Sequence, residues 1–250
     1  MASNKRVRIF AGPNGSGKST LFEAFQIENK EKTGYFVNAD LLEKKLSDSS
    51  LIDLKSIGLV ATQTDLENFK QLPTSQSLIN KAIADGHTID IHIKENCIVD
   101  NSDDSHSYEG SFIASFIRHL LVEQHKSFSF ETVMSHPSKV DEIKKMAQLG
   151  YQPYLYFVCI DKPEVNLSRI SNRVSHGGHD VPDTKVLERY TRTLELLPSL
   201  LPFCYRAYLF DNSGKKNQLI AELYKGDLEL KTSSPPQWFI EYVLPHFNEL

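Results

Sequence analysis

Eight consecutive residues restrict this 250-residue chain more than any others. They are Gly12-Pro-Asn-Gly-Ser-Gly17-Lys18-Ser19, which spell G-x-x-x-x-G-K-[ST]. The apolar run VRIFA precedes them and STLFEAF follows, so a strand, a glycine loop and a helix must succeed one another. Glycine lets the backbone turn tightly enough for successive N–H groups to converge on an anion, and the helix directs its positive end to the same point. The pattern makes Gly12, Asn14, Gly15, Ser16, Gly17, Lys18, Ser19 and Thr20 the candidate nucleotide-binding residues. Lys18 is expected to reach the β- and γ-phosphates, and the Ser19 hydroxyl to be the metal ligand. ATP and Mg²⁺ are the cofactors this implies.

The rest of the chain reads as an α/β fold. Short apolar runs, Val7 to Ala11, Tyr35 to Val37, Phe128 to Glu131, Tyr154 to Ile160 and Arg206 to Phe210, alternate with helical stretches. The helices are expected at Lys18–Gln26, Ser111–Gln124, Pro137–Leu149, Pro163–Val174 and Asp183–Leu197. This alternation predicts a parallel, five-stranded sheet flanked by helices in a single domain over residues 1–250. The stretch 47–108 breaks the rhythm and reads as an insertion, in which Ile89, Ile91 and Ile93 alternate with polar residues as a half-buried strand does. Asp100 to Glu109, acidic and without Lys or Arg, reads as a mobile surface loop. The breaker Ser233 to Pro236 is followed by QWFIEYVLPHF, a short helix that packs back on the body.

Composition narrows the partners. With 40 % hydrophobic and 24 % charged residues a sizeable core can form. The formal net charge of −4 supplies no global positive field, so no nucleic acid and no anionic membrane surface is expected as partner. Cys97, Cys159 and Cys204 stand far apart, which fits a reducing cytoplasm better than a disulfide framework or a zinc cluster. The longest apolar run, Tyr154 to Ile160, falls far short of a membrane span, and MASNKRVRIF lacks a signal-peptide core. A soluble, cytoplasmic protein is expected.

Absences sort the P-loop classes. No LSGGQ-like signature and no apolar run ending in Asp-Glu is present, which removes the ABC-type ATPases; YLYFVCI ends in Asp161-Lys162. Asn80-Lys81-Ala82-Ile83 fails the N-K-x-D base-reading motif of GTPases. A phosphoryl-transfer kinase remains.

Further segments then fall in a telling order: FVNAD at 36–40, FSFETVMS at 128–135, RVSHGGHDVP at 173–182 with Arg189-Tyr190 after it, and LFDNSG at 209–214. Together with the P-loop they resemble the zeta toxin family, in particular its stand-alone bacterial predicted-ATPase branch. The resemblance covers nearly the whole chain except the insertion. It implies a kinase-like P-loop fold and ATP-dependent phosphorylation of a hydroxyl on a small molecule, with UDP-N-acetylglucosamine as the nucleotide-sugar acceptor and an antitoxin protein as partner. On it, Asp40 matches the general base, Glu131 and Thr132 the acceptor-binding segment, and Arg173, then Arg189, the phosphate-binding arginines. The chain departs from the family pattern in placing Thr132 directly after Glu131.

Elementary chemistry bears on the same residues. Asp40, at a strand's carboxyl end, can take the proton of an attacking hydroxyl; an N-cap of the next helix is the alternative. Glu131 ends the next core strand and should face the same cleft, unless it only opens a turn. Arg169 and Arg173 share a helical face, where like charges repel by about 0.2–0.5 kcal/mol unless an anion lies between them. With Gly177-Gly178 as a joint, and Arg189 and Arg192 beyond it, the stretch reads as a lid over ATP; pairing of Arg189 with Glu188 or Glu195 on a solvated helix is the alternative. His176, His179 and Asp180 fit no strong metal-ligand spacing, and Asp211 to Gly214 is either a plain turn or a border of the adenine. A rival function is a nucleotide-controlled binding module, or an NTPase, without a small-molecule acceptor.

Overall fold

The structure, a computed structural model, describes residues 5–29, 33–102, 106–175 and 181–247, and only the backbone at Arg173. In chain order the elements are β1 (Arg6–Ala11), α1 (Lys18–Glu28), β2 (Tyr35–Val37), α2 (Ala39–Ser49), β3 (Leu51–Asp53), α3 (Gln63–Lys70), α4 (Pro73–Ala84), β4 (Ile91–Lys94) and β5 (Cys97–Asp100). There follow α5 (Ser107–Glu123), β6 (Phe128–Thr132), α6 (Pro137–Gln148), β7 (Gln152–Cys159), α7 (Pro163–Val174), α8 (Asp183–Leu200), β8 (Arg206–Asp211), β9 (Gln218–Tyr224), β10 (Asp227–Leu230) and α9 (Gln237–Tyr242). The chain divides into two bodies, one of residues 1–33 with 129–250 and one of residues 34–128.

The first body holds strands in the order β10-β9-β8-β7-β1-β6. β1 pairs parallel with β7, and β7 with β8, so their carboxyl ends share one edge. Alternation of side chains gives the two faces different chemistry. Val7, Ile9, Leu155, Phe157, Ala207 and Leu209 are fully buried on one face, where Phe157 lies 5.7 Å from the Trp238 ring of α9. The opposite face carries Arg8, Phe10, Tyr154, Tyr156, Arg206 and Tyr208. Its rings stack across strands, Phe10 to Tyr156 at 4.9 Å and Tyr156 to Tyr208 at 5.1 Å. Phe22 and Phe25 of α1 cover part of that face.

All five predicted strands form, but the sheet is not purely parallel. β9 runs antiparallel to β8, and β10 to β9. The sequence reading missed this pair because QLIAELY and DLEL are short, charged and joined by Lys225-Gly226, without an Asn-Gly or Asp-Gly signal. Both turn residues have positive φ, 54° and 96°, as a two-residue hairpin with the right twist requires.

The second body contains the antiparallel sheet β3-β5-β4, with Ile52 opposite Ile98 and Ile98 opposite Ile93. Of the predicted alternation, Ile91–Lys94 lie in a strand and Ile89 does not. Asn96 in the β4–β5 turn accepts from Ala61 N and donates to Leu59 O, which ties the turn to the segment before α3. The expected mobile loop from Asp100 to Glu109 is corrected at its two ends, while residues 103–105 lie outside the described residues. Asp100 is buried at the end of β5, and Ser107 to Glu109 form the first turn of α5. What outweighs the acidic composition is hydrogen bonding by Asp100 to Ser102 and His106. No helix among the described residues is long and apolar enough to cross a membrane.

A turn with φ of 96° tolerates glycine best, so Gly226→Val is expected to lower stability by about 1–2 kcal/mol. Urea unfolding measures the difference.

Candidate active site

The glycine loop links β1 to α1 at the sheet edge, and its neighbours leave it little freedom. A Cβ on Gly12 would lie 2.0 Å from Val158 O, and one on Gly15 would lie 2.7 Å from Asn166 O. Gly17 has φ of 100°, and a Cβ there would meet Asn212 Nδ2 at 2.4 Å. Two asparagines hold the loop from outside: Asn166 Nδ2 donates to Asn14 O at 2.6 Å, and Asn212 Nδ2 to Ser16 O at 2.8 Å. Gly17, as N-cap of α1, offers no side-chain cap, so the first N–H groups of the helix stay available to an anion. Ser16 is fully buried and its Oγ lacks a hydrogen-bond partner, which suits a donor waiting for a phosphate oxygen.

Lys18 is 7 % exposed, with Nζ donating to Pro13 O at 3.0 Å and standing 3.8 Å from Glu131 Oε1. Ser19 Oγ donates to Glu131 Oε2 at 2.9 Å. The strand β6 thus delivers a carboxylate onto the lysine and the serine of the loop, as its end at the phosphate edge predicts. Hard oxygen donors side by side, Ser19 Oγ and Glu131, are the chemistry Mg²⁺ takes, so the residues fit the ion. Thr132 follows in β6, and its Oγ1 accepts from Met134 N. Thr20 is exposed in the first turn of α1.

The loop after β8 reaches the same edge. Arg169 Nη2 of α7 donates to Asn212 O at 3.1 Å, Ser213 Oγ accepts from Asp161 N, and Asp211 Oδ1 accepts from Trp238 Nε1. Helix α8 is anchored by Tyr190 OH, which donates to Ile160 O, and by Thr193 Oγ1, which donates to Val133 O. Burial pushes the Tyr190 phenol far up. On this helix Arg189 is half-buried, while Arg192 pairs with Glu188 at 3.2 Å on the exposed surface. The pairing weighed for Arg189 therefore belongs to Arg192. The Arg173 side chain, His176, Gly177, Gly178, His179 and Asp180 lie outside the described residues.

Asp40 belongs to the second body and is exposed. It does not end a strand, because β2 stops at Val37, and it is not the helix cap. Asn38 takes that role, accepting from Leu41 N, and Asp40 stands in the first turn of α2. Sequence reasoning missed Asn166 and Asn212 as supports of the loop. LFDNSG was legible as a segment, but a lone asparagine in α7 gave no signal.

The geometry can be set beside known proteins. No family model matches the chain. An uncharacterized protein of Haemophilus influenzae is 33 % identical over 72 residues, 29 % of this chain and 51 % of that protein. The chain spans about half the length of the curated relative it matches. Among solved structures, the AvrRxo1-ORF1:AvrRxo1-ORF2 complex with sulphate ions is similar over 93 % of this chain and 62 % of that chain, with a TM-score of 0.59 and 13 % identity. The same complex with ATP gives 0.58 and 14 %, over 92 % of this chain and 61 % of that one. The fold shared with these structures is an α/β fold. A mostly parallel sheet flanked by helices, with the glycine loop at its edge, carries that statement. The toxin-antitoxin system PezAT of Streptococcus pneumoniae matches at 14 % identity over 100 % of this chain and 88 % of that chain, with a TM-score of 0.46.

Glu131→Gln keeps an acceptor for Ser19 Oγ but removes the charge. It is expected to raise the Mg²⁺ concentration needed for half-maximal ATP binding by about tenfold or more, as measured by Mg²⁺ titration of nucleotide binding.

Proposed function

We propose that the chain is an ATP/Mg²⁺-dependent phosphotransferase, a kinase that phosphorylates an alcohol hydroxyl of a small molecule. The observation that carries this reading is the arrangement at the end of β1, where Lys18 and Ser19 of the glycine loop meet Glu131. Bound Mg²⁺ would be held at Ser19 Oγ with Glu131 beside it, and would neutralise phosphate charge. Gly12, Asn14, Gly15, Ser16, Gly17 and Thr20 frame the nucleotide, and Arg169 supports its loop through Asn212.

In the transfer an acceptor hydroxyl oxygen bonds to the γ-phosphorus as the bond to the bridging oxygen of ADP breaks. Lys18 balances charge on the phosphates, Asp40 takes the hydroxyl proton, and Arg173 and Arg189 stabilise charge in the transition state. Glu131 and Thr132, first read as acceptor residues, support a divided role in this scheme. The Glu131 carboxylate serves the phosphate side, and Thr132 marks the start of the acceptor segment. The zeta-toxin resemblance supports UDP-N-acetylglucosamine as one acceptor to test and a toxin role with an antitoxin partner. That the AvrRxo1 structures are two-chain complexes also supports a partner protein. We read the chain as one kinase unit carrying an insertion around 47–108, acting in the cytoplasm.

The deciding experiment supplies γ-labelled ATP to a metabolite extract and reads which small molecule becomes labelled. ADP release without any labelled acceptor would favour the binding-module or NTPase reading. Lys18→Ala is expected to abolish transfer while the protein stays folded, which circular dichroism checks. Asp40→Asn should keep ATP affinity within a few-fold and lower kcat by roughly 10² or more; collapse of ATP binding instead would make Asp40 a structural or metal group. Arg173→Ala should reduce kcat by on the order of 10², and Arg192→Ala far less, since Arg192 already pairs with Glu188.

A further inference from the structure

In the first body, the face of the sheet opposite the Trp238 ring carries a row of cations and rings that the phosphate site does not use. The pairing of β1, β7, β8 and β9 sets Arg8 beside Tyr154, Tyr154 beside Arg206, and Arg206 beside Tyr224. Side chains directly opposite one another on neighbouring strands share a face. The Arg206 guanidinium stands 4.5 Å from the Tyr224 ring centre and 5.9 Å from that of Tyr208, and Arg8 stands 6.0 Å from that of Tyr154. Lys225, in the turn after β9, lies 5.2 Å from the Tyr224 ring centre. Arg206 opens β8 and Tyr154 lies near the start of β7, so the row occupies the amino ends of the parallel strands. The glycine loop is at their other end.

One side of this face is covered. Phe22 and Phe25 of α1 pack on Phe10 and Tyr156, and Arg8 is 6 % exposed. Farther along, Tyr154, Tyr205, Arg206, Tyr208 and Tyr224 are part-exposed, the Arg206 side chain at 35 %, and Lys225 is exposed. Tyrosine and arginine are the residues that protein interfaces concentrate at their strongest points, because each joins a broad apolar surface to hydrogen-bond donors.

Charge decides what such a partner carries. A cation over a ring is attracted to it but keeps its full charge. Arg8, Arg206 and Lys225 meet the carboxylate of Glu222, which pairs with Arg206 Nε at 3.1 Å. Strand β10 adds Asp227 opposite Tyr224, while Glu229 is paired with Lys231. Burial, the largest influence on Arg8, lowers its guanidinium below the ordinary value; the groups acting on it are Tyr156, Arg6 and Tyr154, phenols and a second cation. Of the five N–H donors of Arg206, Nε goes to Glu222 and one at Nη1 to Tyr208 OH. The hydrogen bond with Tyr205, then Lys225 and Arg206, hold the Tyr224 phenol below its ordinary value, and the last two mark a positive surface. Carboxylates complete this set of donors and cations.

Nucleic acid suits the face less well. Guanidinium groups lie over the rings of Tyr154 and Tyr224 where bases would stack, and Glu222, Asp227 and Glu229 would repel a continuous phosphate backbone. A peptide presents separate carboxylates that can avoid those acids.

We propose that this face, centred on Arg206 and Tyr224 with Tyr154, Tyr208 and Lys225 around them, docks a segment of a partner protein rich in Asp and Glu. The surface needs no nucleotide and does not rest on the kinase reading. Fluorescence anisotropy of labelled hexaglutamate, titrated with the full chain at low salt, tests it beside hexaglutamine and an oligothymidylate. Hexaglutamate is expected to bind saturably and more weakly as salt rises, with hexaglutamine at least about tenfold weaker. Arg206→Gln and Lys225→Gln should each weaken hexaglutamate binding by about threefold or more, with folding checked by circular dichroism. Lys225, in an exposed turn, keeps the test independent of the Arg206–Glu222 pair. Lys18→Ala, which removes the cation of the glycine loop, should leave hexaglutamate binding unchanged. Absence of saturable binding, equal binding of hexaglutamine, or indifference to both Arg206→Gln and Lys225→Gln overturns the proposal. So does loss of binding in Lys18→Ala, which would put the peptide at the glycine loop, and so does tighter binding of the oligothymidylate, which would make the face a nucleic-acid surface.

Discussion

Everything at the phosphate edge depends on how closely the glycine loop is pressed against its neighbours. Gly12 sits where any side chain would strike the carbonyl of Val158, and Gly15 and Gly17 sit against Asn166 and Asn212. Close approach makes the loop rigid before a nucleotide arrives, because its shape is set by backbone and amide contacts on both sides. Preorganised donors need not reorganise when charge develops, which is where most electrostatic catalysis comes from. The parallel strands β1, β7 and β8 bring the three segments involved to one edge, so the register of the sheet and the geometry of the loop are one constraint.

The parts of this arrangement legible in the sequence were those carried by contiguous residues. GPNGSGKS specified strand, loop and helix at once, and Glu131 could be placed because a strand's carboxyl end in such a sheet points to the ligand edge. Asp40 was harder. FVNAD contains two residues able to cap a helix, Asn38 and Asp40, two positions apart, and α2 begins directly after the first. The β9–β10 hairpin escaped because Lys225-Gly226 carries only half of the usual turn signal. Asn166 and Asn212 were invisible as supports because their hydrogen bonds span 152 and 196 residues of chain.

Asp100 to Glu109 shows why composition misleads at short range. Four acidic residues without Lys or Arg suggest a solvated loop, yet a serine and a histidine within six positions hold Asp100 by hydrogen bonds. At Asp100 the acid is buried with partners rather than exposed. The two bodies thereby differ in local electrostatics: one presents Lys18 and open helix N–H groups, the other buried carboxyls. A single net charge of −4 conceals both.

Trp238 is the only tryptophan of the chain. Its indole N–H donates to Asp211, its backbone N–H donates to Asp161, and Asn212, next to Asp211, holds the glycine loop. A buried indole, hydrogen-bonded to a carboxylate one residue from the loop's support, is a built-in chromophore for that region. Its emission spectrum reports the polarity around α9 without any label, so a change in the packing of α9 on Asp161 and Asp211 can be followed by light in the unmodified protein.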